Sequence, residues 1–186
     1  RLLAFQASPP MASGASAAAA AAASGAGAGA PDPLRNALGS GTARINAGSF
    51  GLLLFGLAKW LESDRPGTRV LGLRLHAHGK PVGLRAAEVI MRRHKAGERF
   101  SEFEPALNFV AKQCWKDLFG QEVSLIRNKG TGTSYYIIDH TPLCNKFVRR
   151  DGTGLAGFMA GVAEGLVCAM GFKATVVAKP LEGSPR

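Results

Sequence analysis

Cysteine, acidic residues and aromatic residues are all scarce in this chain of 186 residues. Its three cysteines, Cys114, Cys144 and Cys168, are an odd number without CxxC spacing. That speaks against a disulfide framework and fits a reduced, cytosolic chain. Cys114 and Cys168 fall on helical stripes, where a free cysteine behaves as a small hydrophobe. Aromatics make up 8 % and lie inside apolar stripes, so the stacking platforms of a nucleic-acid binder are missing and no nucleic-acid partner is expected. No apolar run is long and continuous enough to span a bilayer. Thirteen Asp and Glu stand against 23 Lys and Arg, a formal charge of +10. Such a charge suits an acidic partner, yet the basic residues are scattered and pair only at Arg92-Arg93 and Arg149-Arg150, as on a solvated face.

Catalytic signatures are missing too. There is no nucleophile elbow and no HExxH. His76 and His78 form an HxH pair, but no Cys or acid pattern supplies the further ligands a metal needs. Asn128–Thr133 (NKGTGT) has paired glycines without GK[ST] or a following helix, so it is a turn and not a phosphate loop. Asp139 and His140 are neighbours whose side chains point to opposite faces of a strand. Cys144 with His140 is a pairing by proximity only. No catalytic, metal or lipidation residue and no cofactor is assigned.

What is present in quantity is apolar: 46 % of residues, enough for a real core. Residues 8–31 are almost wholly Ala, Gly, Ser and Pro, and no acid precedes Asp32. Residues 1–44 are therefore expected to form a disordered extension outside the fold. The composition has something of a transit peptide, but without its arginines. Starting at Arg1 and not Met, the chain reads as a fragment or an incomplete gene product.

From Asn46 the spacing predicts a helix to Leu61, capped by Asn46 or Ser49, with Phe50, Leu53, Leu54, Leu57 and Leu61 on one face and Trp60 flanking. Only Lys59 is charged within Phe50–Leu61, so this helix is buried on more than one side or forms an interface. Thr68–His78 reads as a second helix, although a strand period fits almost as well. Gly79 would end it and Pro81 would open a third helix over Val82–His94. Ser101 and Glu104 form a capping box for a helix that runs through Phe103, Leu107, Val110, Cys114 and Leu118 to a stop at Gly120, the expected central core helix. Gln121–Ile126, Tyr135–Ile138, Leu143–Val148 after Pro142, and Ala174–Ala178 read as strands.

Leu155–Phe172 is a helix with two stripes. Leu155, Phe158, Met159, Val162, Leu166 and Met170 make the apolar one. Gly157, Gly161 and Gly165, four residues apart, make the other. Each helix-interior glycine costs about 1 kcal/mol relative to Ala. The stripe is either a surface for close backbone approach or incidental. Glu164 and the short apolar length argue against a membrane span. The order of elements gives an α+β fold with helices on a small antiparallel sheet.

The segments AKQCWKDLFGQE, YYIIDHTPLCNKFV and FMAGVAEGLVCAMGFKATV resemble the small core subunits of TRAPP, the vesicle-tethering complex, and among them the subunit 5 branch. SFGLLLFGLAKWLES is similar to that family's first helix. The resemblance covers roughly residues 46–178 as one domain and leaves 179–186 as a tail, truncated before a further family strand; a sheet edge left unpaired there would invite partners. It implies a non-enzymatic subunit that dimerises through its N-terminal helices, with Phe50, Leu53, Leu54 and Leu57 at the subunit interface. The implied partners are other TRAPP small subunits and, through the complex, a Rab-type GTPase for which the assembly is the exchange factor. The implied place is the cytoplasm, peripheral to Golgi and endoplasmic reticulum membranes, where a basic face would meet acidic lipid. Some members carry an acylated Cys before the central helix. The matching position here is about Phe100, so no lipid is expected. A small-molecule-binding domain of similar fold is the alternative.

Overall fold

The computed structural model describes residues 3–8, 46–64, 68–94, 100–128, 134–147 and 153–180. The elements run β1 (Leu3–Ser8), α1 (Ala47–Asp64), α2 (Thr68–Arg93), α3 (Phe103–Phe109), a π turn (Val110–Cys114), α4 (Trp115–Phe119), β2 (Ser124–Arg127), β3 (Tyr135–Asp139), a 3-10 turn (Leu143–Phe147), α5 (Thr153–Ala169) and β4 (Thr175–Pro180). The strands form one antiparallel sheet in the order β2-β3-β1-β4. The α+β class read from the sequence therefore holds.

The glycine stripe explains the centre of the fold. On α5 every residue from Leu155 to Val167 except Phe158 is buried. One side of α5 packs along α2, and the other meets β4, β1 and the π turn. A Cβ on Gly157, Gly161 or Gly165 would strike the backbone of Gly72, His76 or Lys80 on α2, and Cβ atoms on Gly79 and Gly83 would strike Phe158 and Val162 in return. The two helices touch backbone to backbone, and only glycine permits that separation. The central position thus falls to α5 and not to the 103–119 helix.

Close packing also corrects the reading of Pro81. One helix of 26 residues runs through it. Proline removes an N–H and crowds the carbonyl four residues back, at a cost of ~3 kcal/mol. Pro81 and Ala77 lie on the exposed side, where water can serve that carbonyl, while Gly79 and Gly83 on the other side are pressed against α5. Packing overrides the local stop signal.

Two further expectations fail. The helix over 103–119 starts at N-cap Glu102, and no side chain caps it. Its third position is Pro105, which has no N–H to donate to a cap. Glu104 instead accepts a hydrogen bond from the Tyr135 hydroxyl, 3.1 Å. Leu143–Phe147 is a 3-10 turn and not a resumed strand. The Asp139 carboxylate accepts the Thr141 N–H, 2.9 Å, which turns the chain out of the sheet just before Pro142. The turn 129–133, Val148 and Asp151-Gly152 lie outside the described residues.

Within the same helix the Trp115 N–H reaches back to the Val110 carbonyl. The Ala111 carbonyl is thereby free to accept the Val123 N–H, 3.1 Å, which ties the helix to the approach of β2. Gly120, at φ 78°, ends it as expected.

The largest correction lies at the start of the chain. Residues 3–8 belong to the fold: Leu3 to Ala7 pair with Asp139 to Tyr135, and Leu3 to Ser8 with Pro180 to Thr175. The segment LAFQAS carries enough apolar character for a strand, but it precedes an Ala-rich tract and is read together with it. Residues 9–45, the remainder of the expected extension, lie outside the described residues. β4 likewise takes Lys179 and Pro180 into the sheet from the expected tail.

Candidate subunit interface

Buried polar groups are where catalytic chemistry would reside. Asp139 is fully buried and accepts from Trp115 Nε1 (3.0 Å), Gln121 Nε2 (2.6 Å) and the Thr141 N–H. Every neighbour is a donor that holds position, and neither a nucleophile nor a second acid adjoins it in these contacts. His140 is exposed and Cys144 buried. Burial, aided by the negative charge of Asp117, pushes the Cys114 thiol up to about 12, so this cysteine stays a protonated core side chain. His94 pairs with Asp117 at 2.9 Å.

Glu164 is the other buried acid among the described residues. It receives Lys80 Nζ (2.9 Å), the Val176 N–H (3.0 Å) and His76 Nε2 (3.3 Å). His76 Nε2 also reaches the Val176 carbonyl, 3.1 Å. Both of its partners are acceptors, so that nitrogen carries a proton. One carboxylate therefore joins α2, α5 and β4. Burial on its own raises the Glu164 carboxyl, but the bonds from Lys80 and Val176 and the charges of His76 and Lys80 more than offset this, and the group lies below its ordinary value. The stability it contributes is present above the ordinary carboxylate range and is lost as pH falls through the depressed folded value. Lys80 is raised, mainly by its bond to Glu164, so its share is lost only on the alkaline side. Thermal unfolding of wild type should thus weaken more steeply than that of Glu164→Gln between about pH 5 and pH 3. Parallel curves would show that Glu164 contributes nothing through its charge.

His76 and His78 do not converge. His76 serves Glu164, while His78 lies edge-on to the Trp60 ring, 6.3 Å between centroids. Among the described residues no group of three or more His, Cys, Asp or Glu is placed to hold a metal ion. No helix among them is long and apolar enough to cross a membrane. Phe100 packs on Phe109, 5.3 Å between ring centroids.

The unusual surface is on α1. Asn46 caps this helix by accepting the Gly48 N–H, 2.9 Å. Leu54, Ala58 and Leu61 turn inward. The opposite side is apolar as well: Leu52 is 77 % exposed, Leu53 73 %, Trp60 65 % and Phe55 50 %. At 100° per residue Leu52, Leu53, Gly56 and Trp60 share an arc of about 100°. Nothing lies within 4 Å of a Cβ built on Gly56, so the arc has a flat centre. Lys59, exposed between Phe55 and Leu52, is the one charge on this side within Phe50–Leu61, fewer than a solvated helix face usually carries, and exposed apolar patches are candidate contact surfaces.

The expected interface residues therefore divide. Leu53 lies on the outer face. Phe50 and Leu57 are half-buried at its flank, Phe50 against Phe158 at 6.3 Å. Leu54, 4 % exposed, belongs to the internal core and is corrected out of the set. Leu52 and Phe55 do not stand out in the sequence because apolar residues fill nearly all of Phe50–Leu61, and periodicity cannot say which side faces in.

Comparison with known proteins fits this picture. The family model described as "Transport protein particle (TRAPP) component" matches residues 50–185. The chain belongs to the TRAPP component family. It is 31 % identical over 150 residues to trafficking protein particle complex subunit 5 of Homo sapiens, covering 78 % of this chain and 80 % of that protein. The Gallus gallus subunit 5 is 30 % identical over 150 residues, with the same coverage. The Dictyostelium discoideum subunit 5 is 29 % identical over 146 residues, covering 76 % of this chain and 78 % of its own length. The family model begins at Phe50, so it takes in the whole outer arc of α1.

Proposed function

We propose that this chain is a core subunit of a TRAPP-type vesicle-tethering complex and that it is joined to a neighbouring small subunit through the outer face of α1. The observation that carries the proposal is the row of exposed Leu52, Leu53, Phe55 and Trp60 on one helix of a TRAPP component. Burying such side chains is worth about 1.5–3 kcal/mol each before association costs. Its role is assembly and not catalysis, since the buried carboxylates bind structural donors and the Cys114 thiol is held protonated. The relatives are named as subunits of a trafficking particle, which supports a place in a multi-subunit complex.

The finer reading is supported by the family resemblance. The complex works in transport from the endoplasmic reticulum to the Golgi, peripheral to both membranes, and as a whole acts as guanine nucleotide exchange factor for a Rab-type GTPase. Isolating the complex through a tag on this chain, then measuring GDP release from Rab-type GTPases, tests it. The expected result is accelerated release with the complex and none with the isolated chain. A complex that accelerates none of them would remove the exchange role and leave the assembly role to be judged separately.

A further inference from the structure

β1 holds the middle of the sheet on a very long tie. Leu3–Ser8 separates β3 from β4 and pairs with both. The chain returns to the described fold only at Asn46, after the 37 residues from 9 to 45. A segment of that length reaches on the order of 100 Å when extended. Covalent continuity therefore does not dictate where β1 sits. Main-chain pairing with both neighbours holds it there.

The walls of the slot have their own supports. β3 is fixed through Asp139, which is bound to Trp115, Gln121 and Thr141, and it also pairs with β2. β4 is fixed through Val176, which opposes Ala7 in register but gives its N–H to Glu164 and its carbonyl to His76. Each wall is thus tied to the helices through a buried carboxylate, independently of its pairing with β1. A gap one strand wide between two antiparallel ladders is the geometry of β-augmentation, here with partners on both sides.

We propose that the slot between β3 and β4 is a strand-acceptor site for an extended peptide, and that Leu3–Ser8 is its tethered ligand. The ligand class is a segment of six residues whose main chain pairs on both edges, which excludes an internal proline. Covalent linkage makes the pairing of Leu3–Ser8 intramolecular, so a free segment competes with a tethered one. A free segment then competes poorly while the tether is intact and well once it is cut.

The test uses the full chain with a protease site inserted between Ala23 and Ser24, cut after folding. The probe is a labelled peptide of residues 1–10, RLLAFQASPP. After cutting and dilution, amides of β3 and β4 should lose hydrogen-exchange protection while those of α2 and α5 keep theirs. The labelled peptide should bind one per chain, at least tenfold tighter than to uncut protein, and restore the protection. The same peptide with Gln6→Pro should not bind. If the cut piece never exchanges with labelled peptide, or if cutting leaves β3 and β4 unchanged, β1 is not an exchangeable ligand. Global unfolding on cutting would overturn the proposal as well, because the walls would then depend on β1. A second variant, full-length Gln6→Pro, should raise exchange in β3 and β4 alone; exchange rising equally in α2 and α5 would count against it.

Discussion

Gly161→Ala lowers the melting temperature by up to about 8 °C, whereas Gly56→Ala leaves it unchanged or raises it slightly. The two substitutions are chemically identical and sit on two helices of one domain. At Gly161 a Cβ would lie 2.9 Å from the His76 carbonyl carbon and 3.0 Å from its Cα. Those are backbone atoms and cannot rotate aside, so α2 has to retreat from α5. Retreat at one point loosens Gly157 against Gly72 and Gly165 against Lys80, because the stripe is continuous. Overpacking costs typically 1–3 kcal/mol, occasionally more, and the better helix propensity of alanine returns about 1 kcal/mol. Each net kcal/mol shifts the midpoint of a chain this size by about 2–4 °C. At Gly56 a methyl group meets nothing within 4 Å, and only the propensity gain remains. Gly161→Leu, which adds a branched side chain to the same contact, should prevent folding or assembly. Equal responses at Gly56 and Gly161 in a thermal scan would show that the stripe is incidental.

Leu53→Asp combined with Trp60→Asp should abolish incorporation into the complex while leaving the melting temperature of the isolated chain within a degree or two. Both side chains are mostly exposed, so a carboxylate there stays hydrated in the free chain. Against a partner surface each would be desolvated without a cation. Truncating one central anchor costs about 2 kcal/mol or more, which is about thirtyfold in affinity, and two charged replacements exceed that. Leu54→Asp, one residue away, fails differently. Its carboxylate is buried without a partner, and the chain itself is destabilised. Size exclusion and melting curves separate the two outcomes. If Leu53→Asp with Trp60→Asp enters the complex at wild-type yield, the outer face of α1 is not the joint.

Local pattern foretold much of this architecture. The α+β class, the helix opening at Asn46, the stop at Gly120 and the strands around Tyr135–Ile138 and Ala174–Ala178 all rest on period, capping and turn chemistry, which act over a few residues. The failures share another cause. Pro81 lies inside α2 because contact with α5, some eighty residues distant, outweighs a local stop. Glu104 leaves its capping box for the hydroxyl of Tyr135. Leu3–Ser8 enters the sheet because β3 and β4 stand one strand apart, which no window around residue 3 can reveal. On α1, pattern shows a helix too apolar for solvent, and Leu53, one of the residues expected at a subunit contact, is exposed in the free chain. Pattern could not turn the helix. Leu54 and Leu52 are equally apolar, and only the packing of Leu54, Ala58 and Leu61 into the core decides which leucine faces out.

Membership in a complex is the claim on which the rest depends, and affinity isolation of the tagged full chain from its own cells, with mass spectrometry of what accompanies it, tests it most directly. The predicted result is recovery of related TRAPP small subunits in stoichiometric amounts, lost with Leu53→Asp and Trp60→Asp. Recovery of the chain by itself, as a stable monomer with its α1 face bare, would contradict the account.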